Sequence, residues 1–337
     1  MTISINKNLS RRKFVQLTVG AAAPHALSRF AWAQTTWPNR AIVLTHGFAP
    51  GGGVDATARI LADGLSRRLG QQVVVESKPG AGTTLAAAQL ARASADGHTL
   101  SLLSSTYATA AAMYKSLSFR PVDDFSMVSM VTEFPYVIAT YADHPVRDIA
   151  GLISASRTAS KPLLYGTSGI GSVSHLLMEL LAQSANVKFQ HVPYRGGAQA
   201  LTEILGKRID LMLDPPTILV EQVKSGNVRI LAVSTATRAP ALADTPTIAD
   251  SGFPGFDVPG WVGLAAPAGL AESIIQRLNS EIAAVLADPA VADRIRSLGN
   301  EPAPSSPDKL KARLASDIAK WTSVIAAGRS SGFDACV

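Results

Sequence analysis

The stretch Phe48-Ala-Pro-Gly-Gly-Gly-Val-Asp55 lies between a short apolar run, 42–45, and a segment where Ala58, Leu61, Ala62, Leu65 and Leu69 recur at helical spacing. The run reads as a buried strand, and the segment as an amphipathic helix over 55–69. Three consecutive glycines, Gly51, Gly52 and Gly53, leave no Cβ between the backbone and an approaching molecule. Asp55 is expected to cap the helix by accepting from its first-turn amides. A glycine loop between strand and helix either makes a turn and nothing more, or offers free N–H groups at the positive end of a helix dipole. The second reading suits an anion. The stretch lacks the Gly-Lys-Ser/Thr ending of a phosphate-binding P-loop. Ala56 and its neighbours do not supply the last glycine of GxGxxG, so a nucleotide site is not indicated.

The same junction recurs along the chain. Strands over 42–45, 72–76 and 99–103 alternate with helices over 55–69 and 84–93, with Lys78-Pro-Gly-Ala-Gly-Thr83 ahead of the second helix. That order predicts a parallel sheet with helices on its faces, and ligands at the carboxyl ends of its strands. Strands are read at 125–131 and 136–141. A third strand, 163–166, leads through Thr167-Ser168-Gly169-Ile170-Gly171-Ser172 into a helix over 173–184. Strands at 190–193, 209–213, 228–234 and 262–265 and a helix at 198–205 follow. Ile274, Leu278, Ile282 and Val285 form one late helical stripe. Leu310, Leu314, Ile318, Trp321 and Ile325 form another, behind the cap pair Ser306-Pro307.

The 337-residue chain opens with Ser10-Arg11-Arg12-Lys13-Phe14, a broken Ala-rich apolar run and Ala31-Trp32-Ala33. This is the layout of an export signal ending near residue 33, and the paired arginines resemble the twin-arginine type. Pro24, His25 and Arg29 interrupt the run too early for a spanning helix. Five of the 31 basic residues and none of the 25 acidic ones lie in 1–33, which leaves 26 against 25. No basic tract remains to suggest nucleic acid. Cys336 is the single cysteine, so neither an intramolecular disulfide nor a cysteine metal site can form.

Taken in order, Trp37-Pro-Asn-Arg40, Phe48 to Asp55, Glu76-Ser-Lys-Pro-Gly-Ala-Gly82, Tyr165 to Ser172, Val192-Pro-Tyr-Arg-Gly196, Gly263-Leu-Ala-Ala-Pro-Ala-Gly269 and Arg277-Leu-Asn279 resemble the Bug-type extracytoplasmic receptors of tripartite tricarboxylate transporters. The resemblance runs from about residue 37 to 328. It implies an α/β, two-lobed, type II periplasmic-binding fold in which each lobe is a mostly parallel sheet flanked by helices. The first lobe would comprise 37–138 and 262–328, and the second 139–261, with 329–337 a frayed tail. It further implies a periplasmic protein without cofactor, whose partners are a small carboxylate and a membrane permease, or, as the alternative output, a sensor kinase. Hinge closure would bury the ligand.

Matched residue by residue, the implied ligand positions are Phe48, Ala49, Pro50, Gly51, Gly52, Gly53, Asp55, Thr83, Ser104, Ser105, Thr106, Thr167, Ser168, Gly169, Gly171, Ser172 and Asp214. Arg195 is suited either to fork to a ligand carboxylate or to order its loop through a salt bridge. Asp214, at a strand end, either accepts from a ligand hydroxyl or ammonium or caps a turn. His46-Gly47 stands where the family commonly has Val-Pro, and Thr83 where it often has glycine. His46 and His175 read as structural histidines. The enzyme alternative, a serine hydrolase built on Ser168, His175 and Glu179, lacks the G-x-S-x-G elbow because Ile170 takes the place of its last glycine.

Overall fold

The computed structural model describes residues 37–330; the residues read as an export signal and Cys336 lie outside that range. The chain runs β1 (Ile42–His46), α1 (Gly53–Leu69), β2 (Val73–Ser77), α2 (Thr84–Ala91), β3 (Thr99–Ser104), α3 (Ser105–Met113) and β4 (Phe125–Pro135). It continues through β5 (Val137–Tyr141), α4 (Ile149–Thr158), β6 (Leu163–Thr167), α5 (Val173–Ala185), β7 (Phe189–Pro193), α6 (Gly197–Leu205), β8 (Leu211–Asp214), α7 (Val220–Lys224) and β9 (Val228–Val233). The last elements are β10 (Pro259–Pro267), α8 (Glu272–Leu286), α9 (Pro289–Ser297), β11 (Glu301–Pro302) and α10 (Pro307–Ser330).

Two sheets result, one in the order β11-β4-β10-β3-β1-β2 and the other β7-β6-β8-β5-β9. Each is parallel around one strand: β1 between β2 and β3, and β6 between β7 and β8. The remaining ladders, through β4, β5, β9, β10 and β11, are antiparallel. The sheets are therefore mixed, which corrects the expectation of mostly parallel pairing. The cause is connectivity: βαβ crossovers return a strand in parallel, whereas the segments leaving and re-entering a sheet do not. β4 runs almost directly into β5 at Tyr136, and the return path reaches β10 after residue 258. Ser234 ties the two passages together, since Tyr136 N donates to Ser234 Oγ at 2.9 Å and Ser234 Oγ donates to Val258 O at 2.6 Å.

The helices bury the faces their spacing foretold. Ala58, Leu61, Ala62 and Leu65 of α1 are buried, and the helix stops at Gly70 with φ of 68°. Each large apolar side chain so buried contributes about 1.5–3 kcal/mol. Leu310, Leu314, Trp321 and Ile325 of α10 are likewise in the core, and Lys309 N donates to Ser306 Oγ at its start. α3 and α4 are additions to the expected elements. In α3, Ser105-Thr-Tyr-Ala-Thr-Ala-Ala-Ala-Met113 shows little contrast between faces because most of it is interior. α4 did carry a readable signal: Asp148 Oδ1 accepts from Gly151 N at its N-cap.

Candidate functional site: a cleft lined by helix starts

β1 delivers the chain into the first glycine loop, and α1 begins at Gly53 with Gly52 as an N-cap that has no side-chain partner. Asp55 does not cap the first-turn amides as expected. Its Oδ2 reaches back to accept from Gly51 N at 3.0 Å and from Arg59 Nε at 2.9 Å. Its Oδ1 lies 3.0 Å from His46 Nε2. Phe48 N donates to the other ring nitrogen of His46, so the imidazole is held with its proton on Nε2, toward Asp55. Burial would raise the Asp55 carboxyl, but hydrogen bonds from Arg59, Gly51 and His46 outweigh it and bring it down to about 2. Burial lowers His46, against the pull of Asp55. The loop is thus anchored from below by a carboxylate, and its upper surface faces open space. Gly47 packs on Thr83 so closely that a Cβ there would fall 2.4 Å from the Thr83 Cβ. This explains why glycine follows His46, and Thr83 in turn sits at φ of 74°.

The second loop, after β6, is anchored without charge. Gly171 N donates to His175 Nδ1 at 3.1 Å, and Gly169 N donates to Thr167 Oγ1 at 3.2 Å. Ser172 Oγ caps α5 by accepting from His175 N and donates to Gly169 O. Thr167 Oγ1 lies 2.7 Å from His191 Nε2. The His175 and His191 rings stack at 4.0 Å, with Tyr165 against His191 at 4.9 Å. Burial depresses the imidazoles, His175 to about 4 and His191, next to it, to about 3. Glu179 accepts from Tyr165 Oη at 2.6 Å.

Between the sheets lies a cavity of about 900 Å³. Phe48, Ala49, Pro50, Gly51, Gly52, Gly53, Thr83, Ser104, Ser105, Thr106, Ser168, Gly171, Ser172, Arg195 and Asp214 all line it. Asp55, Thr167 and Gly169 are not among the lining residues; their side chains and backbone hold the loops from behind. Sequence reading missed Tyr136, whose hydroxyl lies 2.9 Å from Ser105 Oγ, and Asn300, which follows Gly299 at the end of α9. It also missed Gly196, Gly197 and Ala198 as lining residues, although a glycine ahead of a helix was the signal already used elsewhere.

The lining is unusual in its helix ends. The starts of α1, α2, α3, α5 and α6 all border the cavity. Four of these five, α1, α2, α3 and α6, have no side-chain cap. Of the helices that start elsewhere, α4 and α9 are capped by Asp148 and Asp288, whereas α7 and α8 have no side-chain cap. Buried polar atoms without partners gather here too: Thr83 Oγ1, Ser104 Oγ, Ser174 Oγ, Asp214 Oδ2 and Asn300 Oδ1 all belong to lining residues. Among the described lining residues only Arg195 and Asp214 bear a formal charge. Arg195 is exposed and has no ion pair among the described residues; its loop is ordered instead by Arg195 N donating to Gln199 Oε1. Asp214 caps no turn, and burial pushes its carboxyl up to about 8. Phe48, Met113, Phe134, Ile170 and Ile218 supply apolar wall.

Comparison with known proteins agrees with this architecture. Residues 57–329 match the family model of the tripartite tricarboxylate transporter family receptor. The chain is 31% identical over 310 residues to Protein BugT of Bordetella pertussis, covering 91% of this chain and 93% of that one. Among solved structures it is similar to an R. palustris protein with adipate, with a TM-score of 0.81 and 32% identity over 88% of this chain and 98% of that chain. MatC from Rhodopseudomonas palustris with bound malate gives 0.78 and 32% over 86% and 99%. The chain belongs to the tripartite tricarboxylate transporter receptor family, as a periplasmic solute-binding receptor of the Bug type and not an enzyme.

Proposed function

We propose that this receptor captures a small carboxylated solute in the cleft, chiefly through main-chain N–H groups at helix starts, and delivers it to a membrane permease. The observation that carries the reading is the set of four uncapped helix starts converging on one cavity of low formal charge. An exposed helix end favours an anion by about 0.3–1 kcal/mol, and a partly buried one by up to about 2 kcal/mol. Several ends acting on one ligand in a cleft shielded from water supply a useful affinity without a dedicated cation. Malate and adipate, the acids held by two similar receptors, are the first candidates. In this reading the lobes, 37–138 with 262–328 and 139–261, close about the passages tied by Ser234. Residues 1–33 direct export by the twin-arginine route.

A carboxylate built into the protein tests the idea directly. Gly52 has extended backbone and room for a Cβ, whose nearest neighbour would be Ala49 O at 3.6 Å. Gly52→Asp should cap α1, raising stability by up to about 1 kcal/mol, while occupying the amides meant for the ligand. Thermal-shift titration with dicarboxylates should then show a large response in the wild type and none in the variant. For scale, ligand at a hundredfold excess over Kd stabilises by about 2.7 kcal/mol. Normal ligand response in Gly52→Asp would defeat the reading. Deleting the receptor should abolish uptake of the acid; intact uptake with lost induction would assign the output to a sensor kinase instead.

A further inference from the structure

Asp214 ends β8, where its backbone is level with Val137 of β5. The residue is 7% exposed, it lines the cleft, and its Oδ2 has no hydrogen-bond partner. It lies over the start of α6: a Cβ on Gly197 would fall 2.5 Å from Asp214 Oδ2 and 2.5 Å from Ile218 Cδ1. Glycine at 197 is thus what allows a carboxyl group and an apolar side chain to crowd onto a helix N-terminus.

The groups facing it are few. The loop before α6 brings Arg195, which makes no ion pair among the described residues. The junction before β5 brings Tyr136, whose hydroxyl is engaged with Ser105. Val137 of β5, the end of β6 at Gly166 and Thr167, and the turn over 215–218 bring no charge. A ligand ammonium is disfavoured at this place, because the amide groups at the positive end of α6 stand beside it. A ligand carboxylate is attracted by those same groups. It then arrives next to Asp214, and two carboxylates within hydrogen-bonding distance cannot both stay ionised.

We propose that Asp214 is protonated in the complex and donates an O–H···O hydrogen bond to a carboxylate of the solute seated at the α6 start, so that above neutrality solute capture takes up a proton. The inference rests on the carboxylate reading above and deepens it. The proton comes from solvent, remains on Asp214 Oδ2 and is shared with the ligand oxygen; no bond other than this hydrogen bond forms. The tendency of the unliganded carboxyl to hold its proton near neutrality supports the same arrangement.

Isothermal titration calorimetry of the full receptor with succinate, malate, glutarate and adipate tests it. At pH 8, the heat of binding should depend on the ionisation enthalpy of the buffer, phosphate against Tris, in the sense of proton uptake. Kd should weaken by up to tenfold per pH unit once the pH exceeds the Asp214 value. Asp214→Asn cannot titrate, so whatever its affinity for the acid, its binding should lose both the pH slope and the proton uptake. Binding by the wild type with a flat pH profile and no uptake overturns the proposal and leaves the carboxylate reading standing. So does a preference for glutamate over glutarate that disappears in Asp214→Asn, since that marks an ammonium acceptor. If the wild type binds none of the acids between pH 5 and 9, both readings fall together.

Discussion

In the first glycine loop the amide of Gly51 donates to a carboxylate, Asp55; in the second, the amide of Gly171 donates to an imidazole, His175. Both loops follow the central parallel strand of their sheet, and both present glycine backbone to the same cavity. Their supports differ in kind. The first is an ionic cluster that reaches solvent through Arg59, while the second is a neutral, stacked and interior one. The difference teaches that the fold dictates where the amides point, and that the means of holding them there is open. Each means leaves its own response to mutation and to acid.

The largest effect is expected from Asp55→Ala, which strands Gly51 N and buried His46 at once. Urea denaturation should show a loss of about 2–4 kcal/mol, together with loss of the ligand-induced thermal shift. A wild-type response to ligand in that variant would mean the first loop does not depend on its carboxylate anchor. Next comes His175→Leu, which keeps the bulk but leaves Gly171 N without its acceptor, at a cost of about 1–3 kcal/mol. Ligand response should weaken here too, because the second loop loses its shape.

Acid separates the two loops without mutation. His175 and His191 titrate near 4 and 3 in the folded protein, below the ordinary imidazole value of 6.5. Their neutral forms therefore contribute stability that is complete above 6.5 and is lost as the pH falls through those values. Asp55, lowered from 3.8 to about 2, keeps its contribution above 3.8 and loses it only as the pH falls through about 2. Hydrogen exchange on stepwise acidification should release the Gly171 amide before the Gly51 amide; the reverse order would refute the comparison. The smallest change should come from Arg59→Ala. Arg59 is 58% exposed, so the variant should be hard to distinguish from wild type by denaturation, with the Asp55 carboxyl moved upward.

Much of this was legible in the residues. Glycines after apolar runs marked both loops, and the periodic stripes of α1 and α10 named their buried faces. Less legible were the residues brought from far along the chain. Tyr136 lies in a stretch without glycine, and Asn300 follows Gly299 at the end of α9, not at a helix start; only the tertiary fold sets them on the cleft wall. Asp55 shows the other kind of gap: its type and position suit a cap, yet the partner it takes, Gly51, precedes the helix it begins.

Sequence alone determined the α/β class and the glycine loops, because these are local matters of spacing, turn chemistry and missing Cβ atoms, and its ordered motifs carried the resemblance to the family. Tertiary structure decided that Asp55, Thr167 and Gly169 stand behind the wall and that Asp214 stands on it without a partner. Burial and pairing depend on what distant segments place around a group, and no single segment carries that information.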